Sequence, residues 1–403
     1  MNGSQHIISQ VSRATDSRIV FLVIDGLGGL PHPDTGKGEL ETASTPNLDR
    51  LASLSMCGLT VPVAHGIIPG SGPGHLSLFG YDPVANLIKR GVLEAAGIGV
   101  DLTPDDLAVR GNFCTVNAEG VITDRRAGRL ASSESQALCR LLDSTKVDGA
   151  QVDVYPVESH RFVLVFRGPG LSEHLADTDD QVNGVVPPPV RPTHPDAQPT
   201  ADIVNAAVDR IREVLKDAGS PANMVTLRGF SKLPDMPSMT DVYKLNPLGI
   251  ATYPMYRGIA RLLGMKVMAS GPGFSNVVDE MIANYNDHDF FFIHYKGADT
   301  AGEDGDFDAK VRALEEVDAP LGKVIDLRPD VFVVSGDHST PAIWANHSWH
   351  PVPFMMWSRW ARPDPVTEFS ERACAGGVLG EFPATGVMPL ALAHAGKLIK
   401  FGA

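Results

Sequence analysis

Apolar runs of membrane length are missing from this chain, and none approaches the ~20 residues that a bilayer-spanning helix requires. The first residues, MNGSQHIISQVSRATDSR, also lack the apolar core of a signal peptide. The sequence therefore predicts a cytoplasmic protein with no membrane partner. Cysteine is scarce: Cys57, Cys114, Cys139 and Cys374 are scattered, with no CxxC pair. That excludes a disulfide framework and a zinc ribbon, both of which need close, patterned spacing. Positive charge is in deficit, with 34 Lys and Arg against 48 Asp and Glu for a net charge of −14. A nucleic-acid surface needs clustered basic residues to neutralise phosphates, so nucleic acid is not an expected partner. A small anion can still bind where metals or local arginines reverse the field in one pocket.

What is present describes a folded protein. Hydrophobic residues make up 43% of the 403 and charged residues 20%, enough for two domains and a sizeable core. The run Ile19 to Ile24 stops at Asp25 and Gly26-Leu27-Gly28-Gly29, the pattern of a buried parallel strand followed by a loop. It recurs at Phe290 to His294 before Lys296-Gly297-Ala298-Asp299, and at Val331 to Val334 before Ser335-Gly336-Asp337-His338. Three strands thus each deliver an acidic residue past their C-terminal ends, where open α/β sheets place their ligand sites. Residues 101–222 have a different texture, with shorter apolar segments such as Phe162 to Phe166 and a Pro-rich connector from Val186 to Pro199. A helix is expected to begin near Thr200, carrying Ile203, Val204, Ala207, Val208 and Ile211. The organisation expected is an α/β core from residues 1–100 and 223–403, interrupted by an inserted domain at 101–222.

Two groups of residues could carry chemistry. In Pro69-Gly70-Ser71-Gly72-Pro73-Gly74-His75, Ser71 stands on a tight turn before an apolar helix. It either receives a phosphoryl group at the helix N-terminus or simply caps that helix. No Gly-Lys-Ser/Thr follows, which excludes a Walker-type loop. The glycines after Asp25 do not make a dinucleotide turn, because the aspartate precedes them and the third motif glycine is absent. Asp337 and His338, with His347 and His350 shortly after, form a set of ordinary zinc or manganese ligands. Asp299, with Glu303 four residues on and Asp304 beside it, offers either a second carboxylate cluster or a solvated acidic loop.

Taken as a set, VIDGLGG, IIPGSGPGHLSLFGYDP, ITDRRAGR, TYPMYRGIARLLGM, HYKGADTAGEDGDF and VVSGDHSTP through NHSWHPVP span nearly the whole chain. They resemble the cofactor-independent phosphoglycerate mutases, archaeal-type branch, of the alkaline phosphatase superfamily. The resemblance implies an alkaline-phosphatase-like α/β core with an inserted phosphotransferase domain. It implies interconversion of 3- and 2-phosphoglycerate without 2,3-bisphosphoglycerate, through a phosphoserine at Ser71 and two divalent cations. By motif position Asp25, Ser71, Asp337 and His338 hold one cation, while Asp299, Glu303 and His347 hold the other. The family often has histidine where this chain has Glu303. A carboxylate there favours manganese or magnesium, with zinc a further option.

Substrate groups follow from the same resemblance. Arg126, Arg161 and Arg257 are candidates for the glycerate carboxylate, because guanidinium forks match carboxylate and phosphate geometry. Lys296 is placed to touch the phosphate. A plain metal-dependent phosphomonoesterase would use the same serine and metals but let water take the phosphoryl group. A homoserine kinase would need a nucleotide loop that the sequence lacks, and a non-catalytic metal-binding relative would have no use for Ser71.

Overall fold

The computed structural model describes residues 3–143 and 146–402, which form two compact units, 1–87 with 236–403 and 88–235. The larger unit is built on an eight-stranded sheet. Its strands run in the order Lys266–Met268, Pro247–Ile250, Phe290–Tyr295, Ile19–Ile24, Val331–Ser335, Val352–Ser358, Met56–Val61 and Gly380–Pro383. All pair in parallel except Val352–Ser358, which is antiparallel to both neighbours. The central strand reads IVFLVI, and every residue in it is buried. A strand covered on both faces needs an unbroken apolar run in place of alternation. Helices Pro46–Ala52, Phe274–Ala283 and Phe307–Asp326 contribute Leu48, Leu51, Val277, Met281, Leu314, Val317 and Leu321 to the core against Val20, Leu22, Phe291 and Phe332.

Register decides where the chemistry collects. Leu22 lies beside Ile293 on one side and Val334 on the other, and Ile24 lies beside Tyr295. The three central strands therefore end together, bringing Asp25, Lys296 and the Gly336–His338 turn to one edge of the sheet. The acidic segment after Phe290–Tyr295 departs from expectation, since Gly297–Glu303 is a short helix and not a loop. One turn separates Asp299 from Glu303, so both project from the same face.

The smaller unit is an antiparallel sheet in the order Ile122–Asp124, Leu107–Val116, Arg161–Arg167, Ala150–Pro156 and Lys146–Val147, with Met224–Ser231 also paired to Leu107–Val116. Its edges at 87/88 and 235/236 differ from the expected 100/101 and 222/223. Strand Met224–Ser231 belongs to this sheet, and helix Arg90–Gly97 places Val92 and Glu94 against it through Ser231 and Arg110. The long helix runs Gln198–Lys216 and buries Ala201, Val204, Ala207, Ile211 and Leu215. Thr200 lies inside its first turn, where the hydroxyl accepts the Ser172 N–H at 3.0 Å. Among the described residues no helix is long and apolar enough to cross a membrane.

Candidate active site

Ser71 is the first residue of helix Ser71–Leu78, with Gly70 as N-cap, and its Oγ stands 3.2 Å from His338 Nε2. The helix can come this close because it carries Gly74, where a Cβ would sit 2.1 Å from the Asp337 carbonyl oxygen. His75, one turn after Ser71, is buried with Nδ1 2.8 Å from the Ser71 carbonyl and 3.2 Å from Asp337 Oδ2. Burial opposes protonation of that ring, but the adjacent Asp337 and Asp25 charges and the Ser71 carbonyl raise its pKa overall.

Asp25 is fully buried at the end of the central strand. Its Oδ2 accepts from the Tyr256 hydroxyl and from Lys296 Nζ at 3.3 Å. Burial pushes this carboxyl up, but Lys296, His338 and His294 more than offset that and hold it well below the carboxylate range. Asp299 receives Lys296 Nζ on Oδ2 at 2.7 Å and the Thr340 hydroxyl on Oδ1 at 2.8 Å. Burial and the Asp25 charge raise its pKa. His347 stacks on His338 with ring centroids 3.7 Å apart. Its Nδ1 lies 2.9 Å from the Pro69 carbonyl, and its Nε2 lies 3.6 Å from Asp299 and 3.5 Å from Glu303. Burial works against protonation there too, yet Glu303, Pro69 and Asp299 push the ring up to about 9.

Among the described residues, two sets of donors lie close enough to hold a cation, Asp25 with Asp337 and His338, and Asp299 with His338 and His347, the atoms of each set within 4.8 Å of one another. Asp25 Oδ1 and Asp337 Oδ2 are buried and accept no well-formed hydrogen bond, with only imidazole nitrogens 3.2–3.3 Å away. Carboxylate oxygens are costly to bury in that condition, and a divalent ion would satisfy both. The excess of Asp25, Asp299, Asp337 and Glu303 over Lys296 points the same way, so the residues present fit divalent cations. The first expected set, Asp25, Ser71, Asp337 and His338, is brought together. In the second, His338 joins Asp299 and His347, while Glu303 stays at the rim with its side chain 53% exposed. His350 falls outside both groups: it stacks on Trp349, and its Nδ1 lies 3.1 Å from Ser348 Oγ. Spacing alone did not separate it from His347.

The sequence reading missed His75, His294, Tyr256 and Thr340. Each sits inside a segment already singled out, but no spacing within those segments marks it for the site. His294 is fully buried, stacked on Tyr256 at 3.7 Å, with Nε2 3.6 Å from Asp25 Oδ2. Burial holds its pKa well below the ordinary imidazole value. Arg257 donates through Nη1 to the carbonyls of Thr252 at 2.6 Å and Ala251 at 3.2 Å, which fixes it to the strand-end backbone.

The smaller unit carries its own cationic cluster. Asp124 accepts the N–H groups of Arg126 at 2.8 Å and Gly128 at 2.7 Å, winding residues 124–129 into a tight loop. Ala127, Gly128 and Arg129 all adopt positive φ there, a conformation that costs free energy for residues other than glycine. Arg161, Arg110, Arg126 and Arg125 lie near enough to His160 for their charges to act on it. Burial first, then those four charges, drive its pKa down to about 4. In a protein of net charge −14 this is a local reversal of sign suited to an anion.

The family model described as 2,3-bisphosphoglycerate-independent phosphoglycerate mutase matches residues 52–220. A protein of Thermotoga neapolitana described as a probable 2,3-bisphosphoglycerate-independent phosphoglycerate mutase is 47% identical over 405 residues, covering 100% of each chain. One of Thermus thermophilus with the same description is 44% identical over 402 residues, covering 98% of this chain and 99% of that one. Among solved structures, a Pyrococcus horikoshii protein superposes with a TM-score of 0.84 at 28% identity, over 97% of this chain and 100% of that one. A cofactor-independent phosphoglycerate mutase of Thermoplasma acidophilum gives 0.72 at 30% identity, over 94% and 100%.

Proposed function

The chain belongs to the family of 2,3-bisphosphoglycerate-independent phosphoglycerate mutases, and from that premise we propose that it moves a phosphoryl group between the 3- and 2-hydroxyls of glycerate through a phosphoserine at Ser71. The observation that carries the reading is Ser71 at a helix N-terminus, 3.2 Å from His338, beside the buried carboxylates Asp25 and Asp337. A solvated turn would need none of these neighbours.

Asp25, Ser71, Asp337 and His338 would hold one divalent cation, and Asp299, His347 and Glu303 would hold the other. Bound there, the ions would lower the pKa of the Ser71 hydroxyl and neutralise phosphate oxygens. Ser71 Oγ displaces the 3-oxygen of the substrate at phosphorus, and the P–O3 bond breaks. Ser71 loses a proton and O3 gains one. The 2-hydroxyl oxygen then attacks phosphorus and loses its proton, the P–Oγ bond breaks and Ser71 regains a proton, so no water and no second phosphoryl donor is consumed. Lys296, whose ammonium already bridges Asp25 and Asp299, supplies a fixed positive charge at the reacting centre. Backbone N–H groups at the start of helix Ser71–Leu78 favour the anion that Ser71 comes to carry. Arg126, Arg161 and Arg257 are the candidates for binding the glycerate carboxylate, which their guanidinium forks match.

The test uses 3-phosphoglycerate labelled in both phosphate and carbon, chased with excess unlabelled glycerate. The two labels should stay together in 2-phosphoglycerate, with little inorganic phosphate released. Dominant phosphate release would identify a phosphomonoesterase, and a strict need for 2,3-bisphosphoglycerate would falsify the serine-carrier scheme. Ser71→Ala should keep its circular-dichroism spectrum and its cation content while losing turnover.

A further inference from the structure

Thr340 is buried where the segments bearing Asp25, Asp299 and His338 meet, and its backbone has no freedom. Its N–H lies 3.0 Å from the Gly28 carbonyl and 3.3 Å from that of Gly26. Its own carbonyl accepts Lys310 Nζ at 2.9 Å, and that ammonium also reaches the Gly28 carbonyl at 2.9 Å. Lys310 is itself fully buried, with Glu39 Oε1 3.7 Å away. Gly302 presses on the same residue, since a Cβ there would stand 2.2 Å from the Thr340 carbonyl oxygen. The hydroxyl is thereby fixed 2.8 Å from Asp299 Oδ1 and 2.9 Å from His338 Nδ1.

Proton counting assigns these two contacts. A hydroxyl has one proton to donate, and an ionised carboxylate only accepts. Asp299 is ion-paired to Lys296 at 2.7 Å, so the Thr340 proton goes to Asp299. The oxygen must then accept from His338, which requires the proton on Nδ1. With Nδ1 committed to Thr340, Nε2 is the nitrogen left to serve a cation. It faces Asp25 Oδ1 at 3.3 Å, Asp337 Oδ2 at 3.2 Å and Ser71 Oγ at 3.2 Å.

We propose that Thr340 is a positioning residue: its hydroxyl holds His338 through Nδ1 and ties Asp299 to it, so that the two cation-holding groups share one oriented imidazole. The proposal rests on reading His338 as a cation ligand, and its test reads cation affinity with no turnover measured. Partners that orient a metal-ligating histidine in this way are typically worth ~10–100-fold in metal affinity.

The experiment is titration calorimetry of manganese into metal-free protein. Thr340→Val, nearly isosteric but without the hydroxyl, should bind manganese ~10–100-fold more weakly, and Thr340→Ser should restore the parental affinity. Unchanged affinity in Thr340→Val, or a loss in Thr340→Ser as large as that in Thr340→Val, would overturn the proposal. If Thr340→Val does not fold, Thr340→Ala takes its place in the same comparison. A protein with Thr340-dependent manganese binding but no mutase activity would refute the proposed reaction and leave this inference standing.

Discussion

Replacing Gly74 with alanine pits two simple rules against each other. Gly74 lies inside helix Ser71–Leu78, where propensity alone would make alanine better by about 1 kcal/mol. Packing says the opposite. The added Cβ would meet the Asp337 carbonyl oxygen at 2.1 Å, the carbonyl carbon at 2.8 Å and Asp337 Cβ at 3.0 Å, where ordinary contact begins at 3.4 Å. Two of those atoms are backbone at the end of a central strand, so the helix must yield by roughly 1 Å. Overpacking of this kind costs about 1–3 kcal/mol, which leaves a net loss of about 0–2 kcal/mol after the propensity gain. Stability is thus the lesser readout. Ser71 rides on the same turn, 3.2 Å from His338, and a displacement of about 1 Å in a reacting group can cost ~100-fold in rate. Gly74→Ala should therefore fold, melt near the parent temperature and lose about two orders of magnitude in kcat. Gly322→Ala is the control: it too is helical, but its nearest new contact would be Asn47 Oδ1 at 3.8 Å, so stability should rise slightly with kcat unchanged. A Gly74→Ala enzyme with parental kcat would show that the close approach of this helix to the Asp337 turn is not what positions Ser71.

Glu303→Ala should weaken manganese binding in calorimetry by at least ~10-fold, whereas Glu303→His should retain binding and shift preference toward zinc. In manganese-loaded crystals a Glu303 oxygen farther than ~2.5 Å from any ion would remove it from the ligand set. Arg126→Ala and Arg161→Ala should each raise KM by ~10–150-fold, the equivalent of one charge-assisted hydrogen bond of about 1.5–3 kcal/mol. Arg126→Lys should fail to rescue if the fork matters, and a parental KM in the alanine variants would show that the substrate is held elsewhere. His160 titrates near about 4 in the folded chain, against an ordinary 6.5. The unfolded chain therefore takes up the proton first, and folding is favoured fully above about 6.5 and progressively less as pH falls toward about 4. Urea unfolding of His160→Asn should show a shallower acid decline over that window, and an identical slope would refute the assigned environment.

Much of the site could be read in the chain because its ligands stand next to strong local signals. An apolar run that stops at an aspartate marks both a buried strand and its C-terminal end, so Asp25, Asp299 and Asp337 were visible without coordinates. Ser71 was visible because Gly and Pro on both sides leave little but a tight turn. The helix Gln198–Lys216 could be read from its apolar period, and only its first residue was misplaced, because Thr200 turns its hydroxyl to Ser172.

What the sequence could not determine depends on contacts between segments far apart along it. Strand Met224–Ser231 joins the sheet of the smaller unit by pairing with Leu107–Val116, a choice no local pattern encodes. His350 has the same spacing credentials as His347, yet only His347 turns inward, because the Pro69 carbonyl receives its ring. Thr340, Lys310, His75 and His294 carry no pattern that marks them for the site, and all four are buried. Each nonetheless carries a polar atom that finds its counterpart, or conspicuously lacks one, only when three strand ends are brought level. Local sequence determined which residues could bear charge at the edge of the sheet. Strand register, the approach of helix Ser71–Leu78 to the Asp337 turn and the Pro69–His347 contact decided which of them meet, since a hydrogen bond or a shared cation depends on ångström-scale distances that residue order does not specify.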